Sequence, residues 1–309
     1  MINVTLLGTA ATMPLPERAL TAAVLAYKGH SVLFDCGEGT QTAARKAHVS
    51  LMKTELIALT HYHGDHIFGL PGLLQTMGCL GRAQPLYLTG PAGIEETMAP
   101  LLSLTGQLPF RVVLLSAEDL SARLSEIFPA WGKEVFLTAF PTSHRVDSCG
   151  YSFSLRRAGK FRPERAEELG VPKPVWSFLQ RGEPVILDDG KRIDPEDVLG
   201  PERRGLKVVF SGDTAPCKTL REAAASADLL ICDATYGDSE HSAQAEKYGH
   251  STFRQAALLA AEAGVRELWL THFSQIMDDP EDYLPAAREV FCGSVCGEDG
   301  LSLKLEFTD

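Results

Sequence analysis

Residues 58–74 read ALTHYHGDHIFGLPGLL and set His61, His63, Asp65 and His66 within six positions, in a chain of 309 residues with nine histidines. Imidazole nitrogens and a carboxylate so close together suit Zn²⁺, with Mn²⁺ or Fe²⁺ as alternatives. The apolar run ELIALT precedes them and reads as a buried strand. If the extended backbone persists past that run, His61 and His63 point the same way and Tyr62 points elsewhere. Gly64 permits a sharp change of direction that brings Asp65 and His66 round to the same pocket. One tetrahedral zinc would leave donors idle, so two metals are the economical reading.

Two metals need further ligands. His144 follows the strand-like EVFLTAF, Asp213 follows KVVF in SGDT, and His272 follows ELWL in LTHF. A polar residue just past the end of an apolar strand is where open α/β sheets place their sites. Each has a plainer role taken alone. His144 and His272 suit hydrogen-bonded surface histidines, and Asp213 suits a cap for the helix TLREAAASA. The cluster at 61–66 is what demands them as partners.

The elements that must position these residues alternate. NVTLLG, AAVLAY, SVLFDCG, ELIALT, PLYLTG, RVVLLS, EVFLTAF, CGYSFSL, KVVFSGD, DLLICDA, ELWLTHF and LSLKLEF read as strands. Helices are expected around GTQTAARKA, GLPGLLQTM, GIEETMAPLLSL, STFRQAALLAAEAG and LPAAREVF. This is an α/β chain, and the number of early strands suggests a mixed sheet. Residues 158–204, rich in proline, glycine and charge, read as an insertion projecting from a single domain that spans 1–309.

A net charge of −11 argues against an overall nucleic-acid-coating surface. The local run Arg156, Arg157, Lys160, Arg162 and Arg165 is basic, and its plain reading is a solvated hairpin tip. No apolar run approaches the roughly 20 residues needed to cross a bilayer, so no membrane partner is expected. The start shows no export signal, and seven cysteines without CxxC spacing fit reduced thiols in the cytoplasm. Cys292 and Cys296 lack companions and read as structural.

The segment THYHGDH resembles the HxHxDH signature of the metallo-β-lactamase fold. The whole chain is more specifically similar to the ribonuclease Z family, which processes tRNA 3′ ends. LGTAATMPLPERA resembles that family's opening loop, LFDCGEGTQ its second motif, and THYHGDHIFGLPGLL its metal motif. GEPVILDDGKRIDPEDVLGP, KVVFSGDT and GHST resemble later stretches. The resemblance implies a four-layer αββα sandwich with two Zn²⁺ per subunit at one edge. His61, His63 and His144 would hold one ion, Asp65, His66 and His272 the other, and Asp213 would bridge them. It implies Asp65 as general base, with His250 of GHST and Asp233 of ICDAT as a pair acting on the leaving oxygen. His250 has a plainer role, as a helix-start residue beside the N-cap candidate Ser251.

The implied substrate is precursor tRNA, cut on the 3′ side of the acceptor stem to leave a 3′-hydroxyl. The insertion would be a tRNA-clamping arm, with Arg156, Arg157, Lys160 and Arg162 at its base and Lys173 further along. A homodimer is implied as well. Three positions depart from the family pattern. PKP places Lys173 where the family has glycine, Cys232-Asp233-Ala234-Thr235 replaces His-Glu-Ala-Thr, and FSQIM after His272 lacks an arginine. The competing functions are a phosphodiesterase for small or cyclic phosphodiesters and a non-catalytic nucleic-acid-binding relative. Lactone or β-lactam hydrolysis is a weaker analogy on the same fold.

Overall fold

Runs of β-branched and large aliphatic residues between turn residues form the strands, and a computed structural model describes residues 1–237 and 239–308. The chain divides into two compact units: Met1–Ser154 with Lys207–Glu306, and Leu155–Leu206 with the C-terminal residues from Phe307.

The chain opens with β1 (Ile2–Gly8), β2 (Ala22–Tyr27), β3 (His30–Phe34), β4 (Thr54–Ala58), β5 (Leu86–Gly90) and β6 (Val112–Ser116). Next come β7 (Val135–Pro141) and β8 (Cys149–Arg157), the short pair β9 (Val185–Ile186) and β10 (Arg192–Ile193), and β11 (Arg203–Phe210). The last are β12 (Leu229–Asp233), β13 (Glu267–Thr271), β14 (Ser294–Cys296) and β15 (Ser302–Leu305). One sheet has the order β15-β1-β2-β3-β4-β5-β6, and the other β14-β13-β12-β11-β8-β7. The first sheet is mixed: β1 to β3 pair antiparallel, β3 to β6 parallel. In the second, β11 to β14 run parallel.

The two sheets meet face to face through aromatic rings. Phe34 of β3 lies 5.8 Å from Tyr151 of β8 and 5.4 Å from Phe210 of β11, centroid to centroid. Leu33, the next residue back, points to the opposite face and packs with Leu70, Leu73, Leu74 and Met77 of the helix Leu70–Cys79. On the other side, Leu230, Cys232, Leu268 and Leu270 pack against Phe253, Ala256, Ala257 and Ala260 of the helix Phe253–Ala263. Strands covered on both faces lose polar alternation, and for this reason LLICD and ELWLT read as continuous apolar runs. The layers are helix, sheet, sheet, helix.

The sequence pattern does not single out the helix Ala117–Ile127. It starts directly at the end of β6, where Ser116 Oγ accepts from the Asp119 amide at 3.0 Å, so no loop announces it. Two helix-start expectations are corrected. Thr252, not Ser251, caps Phe253–Ala263 in a capping box with Gln255, and Ser251 Oγ instead donates to the Thr214 carbonyl at 2.7 Å. The helix Lys218–Ala224 is preceded by Cys217, so Asp213 is free for another role.

The second unit is more ordered than its composition suggests. Helices Pro163–Glu168, Trp176–Gln180 and Pro195–Val198 join the β9–β10 hairpin around buried Ala166, Val171, Leu179, Ile193 and Val198. These apolar positions are too widely spaced for either a period of 2 or of 3.6 to register. No helix among the described residues is long and apolar enough to cross a membrane.

Candidate metal centre

Five strand ends of the first unit deliver polar groups to one point. β4 leads into His61, the β7–β8 connection carries His144, β11 leads to Asp213, β12 ends at Asp233, and β13 leads to His272. Past β4 the chain stays extended through His63 (φ −65°, ψ 150°), then Gly64–Ile67 turns into a helical turn that swings Asp65 and His66 inward. Tyr62 points away, as alternation requires, and donates its hydroxyl to the Pro91 carbonyl at 2.6 Å. Gly212 holds a left-handed φ of 61° with no room for a side chain, since a Cβ would sit 2.6 Å from Thr60 Cβ. That close approach is how the β11 end reaches the β4 end.

The donor atoms converge. His61 Nε2 lies 2.9 Å from His63 Nδ1, which lies 3.4 Å from His144 Nε2. His66 Nε2 lies 3.3 Å from His272 Nε2, which lies 3.4 Å from Asp65 Oδ2. Asp213 stands between the groups, with Oδ2 at 3.7 Å from His61 Nε2 and 3.2 Å from His272 Nε2. Metal-compatible groups therefore form from His61, His63, His144 and Asp213, from Asp65, His66 and His272, and from Asp213, Asp233, His250 and His272.

Two buried carboxylates orient this array, each fixing one imidazole directly and another through a threonine hydroxyl. Asp35 Oδ2 accepts from His66 Nδ1 and from Thr60 Oγ1, both at 2.8 Å. Since the Thr60 hydroxyl gives its proton to Asp35, it accepts from His61 Nδ1 at 3.1 Å. Asp233 repeats the scheme, with Oδ2 accepting from His250 Nδ1 at 2.8 Å and Oδ1 from Thr235 Oγ1 at 2.7 Å. Thr235 Oγ1 in turn accepts from His272 Nδ1 at 2.8 Å. His144 Nδ1 donates to the Gly249 carbonyl at 2.8 Å. With Nδ1 so engaged, each of these five rings turns Nε2 toward the centre, the arrangement that orients ligand rings in metal sites.

The electrostatics divide the rings into a lowered set and a raised pair. Burial, with neighbouring imidazoles, holds His61 well below the usual histidine range and lowers His63; burial, with His250 nearby, lowers His144. Neutral rings offer lone pairs. Burial opposes ionisation of Asp213, yet His272, His66 and His61 hold its carboxyl well below the carboxylate range. Asp65 is likewise lowered, against its own burial, by His272 and His66. Burial opposes charge on His66 too, but Asp213 and Asp35 raise it well above the usual range. His250 is pushed up to about 9: burial works against its charge, and Asp233 and Asp213 outweigh it.

Asp213 Oδ1 is buried without a hydrogen-bond partner, a costly state for a carboxylate oxygen in the interior. A carboxylate oxygen left without a hydrogen-bond partner among imidazole nitrogens fits divalent cations, and zinc suits the nitrogen-rich donor set.

All seven candidate ligands, with Asp233 and His250, thus meet in the first unit. The shortened carboxylate of Asp233 still reaches its histidine, and Cys232 is buried in the helix-side core. Arg156, Arg157, Lys160, Arg162 and Lys173 belong to the second unit. Arg157 donates to the Thr308 carbonyl at 3.0 Å, Lys173 lies 3.7 Å from Glu167, and Lys160 and Arg162 are exposed. Sequence reasoning missed Asp35, Thr60 and Thr235 as individual residues. Asp35 does end a strand run inside LFDCGEGT, the one signal available.

Residues 16–146 match the model of the Metallo-beta-lactamase superfamily, and residues 174–273 that of the Beta-lactamase superfamily domain. The chain is 41% identical over 309 residues to the Ribonuclease Z of Agathobacter rectalis and 38% identical over 309 residues to that of Clostridioides difficile, covering 100% of every chain involved. Among solved structures, human tRNase Z, short form, is similar with a TM-score of 0.67 at 27% identity, over 99% of this chain and 100% of that one. A diphosphatase from the PhnP family shares the fold, with a TM-score of 0.64 at 17% identity, over 99% of this chain and 98% of that one.

Proposed function

The chain belongs to the ribonuclease Z family and is a metal-dependent tRNA 3′-processing endoribonuclease, and on that premise we propose which of its residues carry the reaction. His61, His63 and His144 would hold one zinc ion, Asp65, His66 and His272 a second, with Asp213 shared between the two groups. The observation that carries this reading is the buried, unpartnered Asp213 Oδ1 between two sets of imidazoles. Bound there, the cations offset charge on the phosphoryl oxygens and make a water in the site acidic enough to attack at neutral pH.

The protein's own groups move the protons. Asp65, ionised through its histidine neighbours, accepts the proton of the attacking water. The bond from phosphorus to the 3′ oxygen breaks, and that oxygen takes a proton from His250 Nε2. His250 suits the task because Asp233 holds its other nitrogen at 2.8 Å and keeps the ring charged at neutral pH. The products are a 3′-hydroxyl on the tRNA and a 5′-phosphate on the trailer.

The unit Leu155–Leu206 serves as the arm that grips tRNA, through exposed Lys160, Arg162 and Lys173 with Arg156 and Arg157 at its base. Recognition by shape and local phosphate contacts needs only such a patch, which reconciles an RNA substrate with a net charge of −11. A homodimer completes the reading. Seven unpaired cysteines support a cytoplasmic location.

Parallel incubation with precursor tRNA and a small chromogenic phosphodiester tests the substrate assignment. Cleavage of precursor tRNA just past the acceptor stem supports it. Turnover of the small ester alone would overturn it in favour of the phosphodiesterase alternative.

A further inference from the structure

Asp65 is held from a direction the metal motif does not explain. Its Oδ2 accepts from the backbone amide of Thr12 at 2.8 Å, in the loop between β1 and β2. Thr12 sits at a left-handed φ of 62°, unusual for a β-branched residue. Such strain persists only where the surroundings over-determine it. Here the surroundings are the loop's own far end and two segments distant in sequence. The Ala19 carbonyl accepts from both the Thr9 and Ala10 amides, each at 3.0 Å. The Phe273 amide donates to the Thr9 carbonyl at 2.8 Å, and the Ala11 amide donates back to the Phe273 carbonyl at 2.9 Å. The loop is thereby joined to the residue after His272.

Asp299 closes the assembly from the C-terminal side. Its Oδ1 accepts from Thr9 Oγ1 at 3.0 Å and its Oδ2 from the Ala19 amide at 2.6 Å, so one carboxylate ties both ends of the loop. Arg18 donates to Thr9 Oγ1 at 3.2 Å and to the Gly297 carbonyl at 3.1 Å, and its guanidinium lies 5.1 Å from the Phe273 ring centroid. Half-buried Asp299 is thus surrounded by donors, though it touches none of the candidate ligands.

We propose that Asp299 is a positioning residue for the hydrolysis, latching the Thr9–Ala19 loop so that the Thr12 amide holds Asp65 Oδ2 beside His66 and His272. The proposal rests on the assignment of Asp65 as proton acceptor. Only Ala10 and Ala11 lie between the latched Thr9 and Thr12, so movement at Thr9 passes directly to the amide. Displacement of a reacting group by about 1 Å costs on the order of 100-fold in rate.

The test is Asp299→Asn in the full-length, zinc-loaded protein, with Thr9→Val as a gentler variant that removes only the shared hydroxyl. An amide in place of the carboxylate is neutral and accepts through one oxygen only, so the Ala19 amide and the Thr9 hydroxyl can no longer both donate to it. For Asp299→Asn the expected result is a kcat for precursor tRNA down roughly 10- to 100-fold, with KM within about twofold and zinc content unchanged. Amide exchange at Thr12 should accelerate while β1 and β13 stay protected. Thr9→Val should show the same pattern, smaller in size, and decides the matter if Asp299→Asn does not fold. Wild-type kcat, or losses that track metal content and strand protection, would overturn the latch and leave Asp299 a fold-supporting residue. Full turnover by Asp65→Asn would instead sink the assignment of Asp65, and the exchange of Thr12 would still report on the latch.

Discussion

Changing Asp35 to Asn separates ligand orientation from ligand identity, because Asp35 is fully buried and no candidate ligand is altered. The carboxylate accepts three hydrogen bonds at 2.8 Å, from the Thr60 amide, the Thr60 hydroxyl and His66 Nδ1. Asn keeps the volume, and its oxygen can still accept from the Thr60 amide. Its NH₂ then stands where Oδ2 was and faces two donors. The least costly adjustment moves the His66 proton from Nδ1 to Nε2, the atom that lies 3.3 Å from both His272 Nε2 and Asp213 Oδ1. A protonated Nε2 cannot bind a cation. Loss of such an orienting carboxylate typically lowers metal affinity about 10- to 100-fold, or roughly 1.4–2.7 kcal/mol. If the Thr60 hydroxyl is left unpaired as well, the metal-free fold loses about 1–3 kcal/mol. Competition titration with a chromophoric zinc chelator measures the first effect, and denaturant unfolding of chelated protein the second. Wild-type zinc affinity in Asp35→Asn would refute the claim that Asp35 sets the His66 tautomer.

His63→Ala removes a ligand outright and should lower zinc content and abolish cleavage of precursor tRNA, as read by elemental analysis and product gels. His250→Ala should keep its zinc while kcat falls about 10²- to 10⁴-fold, the usual contribution of a positioned general acid; loss of metal in step with activity would make it a ligand instead. Stripping metal with a chelator should lower thermal stability, by about 2.7 kcal/mol for each ion lost relative to protein at a zinc concentration 100 times its dissociation constant. An unchanged melting temperature would mean that the centre does not bind zinc in the folded state. Deleting residues from about 160 to 200, a stretch with its own small core, should impair precursor tRNA and spare a small phosphodiester.

What the sequence disclosed follows from how local each signal is. His61, His63, Asp65 and His66 lie within one turn, so their convergence is written in a strand end and one glycine. His144, Asp213 and His272 are scattered, but each follows an apolar strand, and strand ends in parallel sheets gather at one edge. Asp35 and Thr235 are legible only in three dimensions, because an aspartate after a strand and a threonine after a buried aspartate are commonplace in sequence. The Thr12 amide carries no residue signature at all, since any side chain but proline supplies an N–H. Among the elements, Ala117–Ile127 went unseen because no turn parts it from β6, and β14 is three residues long. The pairing of strands into two sheets is equally silent, because a buried strand shows its apolar faces and not its neighbours.

Anomalous diffraction at the zinc edge from crystals grown with excess zinc bears most directly on the central claim. Two peaks are predicted, one enclosed by His61, His63 and His144, the other by Asp65, His66 and His272, with Asp213 reaching both. A single peak, or zinc bound elsewhere with Asp213 Oδ1 still bare, would contradict the two-metal account.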